Sequence, residues 1–139
     1  MIVEHSNISM VVVFPDGIVS VPEAFMPEDT PMHEVINAQV GGHFDSVYPM
    51  RREQKFVGYV NDEGLLLGLE PNALASAIFG RFLCGPCVII GTVNEHGEET
   101  GEDYNLLRND YELIMRVAQP MLMWRDTIDQ QKQVEELKG

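Results

Sequence analysis

Residues 9–14 read SMVVVF, and Pro15-Asp16-Gly17 and the segment Ile18–Val21 follow at once. A β-branched run favours extended backbone, where successive side chains point to opposite faces. Apolar side chains on both faces demand cover on both, which predicts a central strand inside a layered domain. Pro presets φ for a turn, Asp bonds its own backbone, and Gly accepts positive φ. The segment therefore predicts a β-hairpin.

Further elements can be placed around this strand. Residues 22–27 read as loop. Thr30 and Pro31 suit the N-cap and first position of a helix. Met32, Val35, Ile36 and Val40 form its apolar stripe, and Gly41 its stop. Residues 43–48 alternate around Phe44 and Tyr48, and residues 56–60 read as another strand. The turn Asn61-Asp62-Glu63-Gly64 leading into residues 65–69 predicts a second hairpin. Asn72 caps a short helix through Phe79, with Leu74, Ala77 and Ile78 facing the core and Gly80 ending it. Residues 87–93 (CVIIGTV) predict a buried strand, and the polar residues 94–105 a mobile connection. Asn109 or Asp110 would cap a helix with Tyr111, Ile114, Met115 and Ala118 on one face. Pro120 breaks it, and a final helix spans about residues 121–137.

The expected fold class is α+β: a small mixed or antiparallel sheet with two hairpins, packed by short helices, plus C-terminal helices. Residues 1–119 form the domain and residues 120–139 a helical extension. A length of 139 residues suits one such core.

Charge narrows the partners. Nine Lys and Arg stand against 22 Asp and Glu, a balance of −13. Neutralising phosphates needs cations, so the balance argues against direct nucleic-acid binding and against docking on an anionic membrane. Residues 1–50 carry no Lys or Arg at all, and Glu95, Glu98, Glu99, Glu102 and Asp103 form a second acidic cluster. No stretch reaches the ~18 apolar residues of a membrane helix, and the apolar run Ile8–Phe14 is short and lacks the basic leading segment of a secretory signal. Cytoplasmic location is expected.

Cys84-Gly85-Pro86-Cys87 has the letters of a thioredoxin-type redox motif. That chemistry places the first cysteine at a helix N-terminus, whose dipole favours the thiolate. Here helical residues precede the motif and a strand follows it, so two buried or half-buried thiols around a Gly-Pro turn are the expected reading. A structural zinc needs four ligands, and His5, His33, His43 and His96 show no paired spacing to complete the two cysteines. The acidic residues 95–103 lack calcium-loop spacing. No GxSxG elbow or phosphate loop is present, and His43 with Asp45 is a chance-level pair. No catalytic residue, cofactor or metal ligand is assigned.

Met121-Leu122-Met123-Trp124 crowds apolar side chains onto every side of a helix. Such a segment is buried all round or faces a partner. Met121, Leu122, Trp124 and Ile128 are the candidate partner interface.

Three stretches carry a family resemblance. Residues 40–47 (VGGHFDSV) resemble a Val-Gly-Gly signature ending in an acidic residue, any residue and Val. Residues 61–72 (NDEGLLLGLEPN) resemble an Asn-acidic-acidic-Gly turn that ends on Asn. Residues 85–91 (GPCVIIG) resemble a Gly-Pro followed by an apolar strand. In this order the chain resembles the domain of unknown function 3846 family, carried by bacteriophages, plasmids and other mobile elements. The resemblance implies a small α+β domain in the cytoplasm of an infected or plasmid-bearing host. It implies no reaction, and it makes the two cysteines local substitutions around the Gly-Pro.

The reading reached from sequence is a non-enzymatic accessory protein that binds a host protein or a second copy of itself. An acidic DNA mimic that inhibits a nucleic-acid-binding defence enzyme is one alternative. The other is a small-molecule, nucleotide-like binder that uses Gly41-Gly42 and residues 61–72 as its pocket.

Overall fold

Both faces of the valine run are covered, and that fact organises the molecule. The structure is a computed structural model describing residues 2–21 and 30–118. Six strands form one antiparallel sheet: β1 (Met10–Val13), β2 (Val19–Ser20), β3 (Phe44–Val47), β4 (Phe56–Asn61), β5 (Cys87–Val93) and β6 (Glu99–Tyr104). Their order is β2-β1-β5-β4-β3, with β6 also paired to β5. Gly91 of β5 pairs with Phe56 on one side and Tyr104 on the other, so β6 continues along the edge of β5 that β1 occupies further on.

Alternation sends β1 and β5 side chains into two cores. Val11, Val13, Cys87 and Ile89 pack with Leu74 and Phe79 of α2 (Ala73–Phe79) and with Ile114 and Ala118 of α3 (residues 108–118). Met10, Val12, Val88 and Ile90 pack on the other face with Ile36 and Val40 of α1 (Met32–Val40). The α+β class and the central position of β1 are as the sequence predicts. The Pro15-Asp16-Gly17 turn is also as expected: Asp16 Oδ1 accepts the Ile18 N–H at 3.0 Å, and Gly17 takes φ 87°.

Several details differ from expectation. There are three hairpins among the described residues: β1–β2, β3–β4 and β5–β6. Residues 65–69 are not a strand. Leu67 N–H donates to Glu63 O at 2.8 Å and Leu69 N–H to Gly64 O at 2.9 Å, which coils the segment into helical turns. Both edges of β4 are already taken, by β3 and β5. Residues 94–105 contain β6 rather than a mobile connection; Asn94 Oδ1 accepts the N–H groups of His96 and Glu98 and closes the hairpin.

The helix ends shift too. Pro31, with ψ 140°, stands at the N-cap of α1, so Thr30 makes no cap and no side chain bonds the first turn. In α2, Ala75 and Phe79 are buried with Leu74, while Ala77 is exposed. Asp110 lies inside α3 and bonds the loop before β4 instead of capping its own helix. The expected loop at 22–27, the boundary at 119/120 and the terminal helix lie outside the described residues.

Candidate functional site

The motif residues prove to be structural. Asn72 is fully buried, and its Nδ2 donates to Val13 O and Gly85 O at 2.9 Å each, while its Oδ1 accepts Ala75 N–H at 3.0 Å. One side chain thus caps α2 and ties it to β1 and to the Gly-Pro turn. Asn61 does similar work nearby: Nδ2 donates to Val40 O at 3.1 Å, and Oδ1 accepts Glu63 N–H at 2.8 Å. Gly41, at φ 81°, ends α1, and both Gly41 and Gly42 donate to Asn37 O. Their N–H groups are therefore committed to the helix terminus, while Asn61, Asp62, Gly64 and Leu65 line a groove with Asp45, Arg81 and Phe82.

The cysteines are similarly placed in the core. Cys84 and Cys87 are free and buried. Burial pushes the Cys87 thiol up to about 12, despite a backbone hydrogen bond from Tyr59. This is the opposite of the shift a nucleophilic thiolate requires. His5 sits against Val93 O through Nε2 at 2.8 Å, and His43 and Asp45 are both exposed. Among the described residues no three His, Cys, Asp or Glu side chains are grouped to hold a metal. No helix among them is long and apolar enough to cross a membrane.

Two surfaces stand out. The first is an apolar tip. The turns after β4 hold Leu65, Leu66 and Leu67 at 75%, 88% and 58% exposure, and Phe82 stands 65% exposed after α2. Leu65 and Phe82 line one groove with Asp45, Asp62 and Arg81. The backbone explains this exposure: helical turns with no opposing layer leave the leucines no core to enter. Leu69, the last residue of the run, is the one that turns inward, with Cδ1 beside Gly85.

The second is a cleft of about 510 Å³ between the loop at residues 48–55 and β6. Its floor includes Val57, Tyr59 and Thr92, on the part of the sheet that α1 leaves open. Arg51, Arg52 and Lys55 line it from the loop, and Glu99, Glu102 and Asp103 from β6. Burial raises the Asp103 carboxyl above its ordinary value. Burial, then the Asp103 charge and Tyr48, push the Tyr59 phenol upward. The loop is rooted at Lys55, whose N–H donates to Asp110 Oδ2 at 3.0 Å and whose carbonyl accepts Thr92 N–H at 3.1 Å.

Sequence reasoning passed over both surfaces. The three leucines resemble a strand when read alone. The basic residues show a usable signal, since they are the first Lys and Arg in a chain whose initial 50 residues have none. The expected interface residues Met121, Leu122, Trp124 and Ile128 lie outside the described residues.

The chain matches no curated protein and no solved structure at a significant level. The family model described as a domain of unknown function (DUF3846) matches residues 8–112, well over half of the chain and the whole span from β1 into α3. The chain belongs to the DUF3846 family.

Proposed function

We propose that this protein is a non-enzymatic accessory protein of a phage or other mobile element that binds a host protein. The exposed cluster of Leu65, Leu66, Leu67 and Phe82 carries this reading. Large apolar side chains presented together mark an interaction surface, whereas isolated ones are ordinary. Burying each such side chain contributes about 1.5–3 kcal/mol, so four supply a substantial driving force. Asp45 and Asp62 line the groove beside Leu65 and Phe82, with Arg81 as its one cation, and Glu63 and Glu70 flank the leucines in sequence. The fitting partner offers an apolar groove with a basic rim, and charge complementarity adds rate and selectivity.

The acidic residues of β6 support this reading over DNA mimicry. Glu99, Glu102 and Asp103 line a concave cleft opposite three cations, whereas mimicry calls for carboxylates arrayed on a convex face.

The test is affinity capture from bacterial lysate with wild type, Leu66→Asp and Trp124→Ala, followed by binary titration of any captured protein after purification. The partner should bind wild type, lose most affinity to Leu66→Asp and weaken as salt rises. Equal binding by a folded Leu66→Asp variant would refute the tip as the interface. Loss in Trp124→Ala alone would move the contact to the segment that includes Met121, Leu122 and Ile128. Light scattering that shows a wild-type dimer and a monomeric Leu66→Asp would make the partner a second copy.

A further inference from the structure

We propose that the cleft between residues 48–55 and β6 binds a nucleoside monophosphate, at a site separate from the apolar tip. Three of the chain's nine Lys and Arg residues line this cleft, in a protein with 22 acidic residues. Concentrating scarce cations beside a cavity creates a local positive wall that the net charge of −13 conceals. Arg51 approaches Glu53 only at 4.0 Å, with both side chains largely exposed, and Arg52 forms no ion pair among the described residues. Their guanidinium groups are open to an anion, and planar forked donors suit phosphate oxygens.

The opposite wall asks for a different chemistry. Glu99 and Asp103 offer carboxylate acceptors on this side, and Glu102 already accepts the Tyr104 O–H. A ligand that satisfies both walls is an anion at one end and an N–H donor at the other. Tyr48, 67% exposed at the rim, and Tyr59 on the floor supply flat apolar surface between the walls. Tyr59 is itself fixed edge-on against Phe44, ring centroids 5.3 Å apart, so the floor is preformed. A nucleoside monophosphate has these three parts in this sequence: phosphate, flat ring, and ring or exocyclic N–H groups. Guanine places two adjacent N–H donors on one edge, which matches a carboxylate. A cleft of about 510 Å³ lies within the usual range for small-ligand sites.

The anchoring of the basic wall adds to the argument. Lys55 is held at both its N–H and its carbonyl, by Asp110 and Thr92, so the cation-bearing loop is joined to the α3 face and to β5 at its base. Preorganised donors lose less entropy on binding.

The experiment titrates the full chain by calorimetry with GMP, AMP, CMP, UMP and inorganic phosphate. GMP should bind saturably and at least about tenfold more tightly than inorganic phosphate, since the base contributes as well as the anion. Arg52→Gln, at an exposed position that leaves the fold intact by circular dichroism, should weaken GMP by about tenfold or more. Asp103→Asn should reduce the preference for GMP over UMP and leave phosphate binding unchanged. Leu66→Asp should bind GMP as wild type does, which separates this site from the protein-binding surface. No saturable binding of any of the four nucleotides at millimolar concentration would overturn the proposal. Equal affinity for inorganic phosphate and GMP, an unaltered Arg52→Gln titration, or an unaltered base preference in Asp103→Asn would also overturn it.

Discussion

The Asp110 carboxylate, set in the first turns of α3, accepts the backbone N–H of Lys55 at 3.0 Å and so joins that helix to the loop before β4. Burial raises the Asp110 carboxyl above its ordinary value, and this outweighs the lowering by the Lys55 N–H and the Lys55 charge. A carboxyl raised by folding holds its proton more tightly folded than unfolded. Its stabilising contribution is complete below the unfolded value of about 4 and is lost as pH rises through the raised value. Asp110→Asn keeps an oxygen acceptor for Lys55 and removes the charge. Urea unfolding should show wild type losing stability relative to Asp110→Asn as pH climbs from about 4 toward neutrality. Parallel profiles would show that Asp110 is ionised without cost.

Asn72→Ala should lower stability by about 3 kcal/mol, because it removes a helix cap and leaves two buried carbonyls without their donor. Those carbonyls belong to Val13 and Gly85, far apart in sequence and joined through this side chain. Asn72→Asp should be no less damaging at neutral pH, since it sets an anion against both oxygens. Denaturant midpoints at constant slope would measure the loss, and a variant within about 0.5 kcal/mol of wild type would contradict the role assigned.

Gly58 lies under the ring of Phe79. A Cβ at that position would stand 2.4 Å from Phe79 Cζ and 2.9 Å from Val47 Cγ2. Gly58→Ala should therefore cost about 1–3 kcal/mol through overpacking. Adding Phe79→Leu should recover part of that loss, because the shorter side chain vacates the clash. Two losses that simply add would show that the strain lies in the backbone and not between these residues.

The thiols should be inert in the folded protein. Cys84 and Cys87 are buried, with the Cys87 thiol up to about 12. At pH 8 a disulfide reagent should react with neither until denaturant is added, and then with both. Fast reaction of either thiol under native conditions would reopen a redox role for the motif.

Local chemistry made much of this fold readable. The valine run of β1, paired with the apolar β5, demands cover on both faces, and two cores supply it. Pro15-Asp16-Gly17 closes its hairpin through contacts only two or three residues apart. Asn72 shows both sides of the matter: its cap on Ala75 is local and was legible, while its bonds to Val13 and Gly85 depend on where the sheet and the Gly-Pro turn lie. Residues 65–69 misled because an apolar run of that length has no period to separate strand from helical turn.

The sequence by itself determined a layered α+β domain with a both-faces-buried central strand, its turns, and the strand that follows the Gly-Pro between the two cysteines. Hydrophobic alternation and turn chemistry act over a few residues, and the chain carries them without help. Tertiary structure alone decided that Leu65, Leu66, Leu67 and Phe82 are exposed and that Leu65 and Phe82 line one groove. It also decided that Arg51, Arg52 and Lys55 face Glu99, Glu102 and Asp103 across a cleft. Pairing of β4 and β6 with opposite edges of β5 brings those segments together. Strand order is a long-range choice, and no local propensity encodes which residues will meet across a sheet.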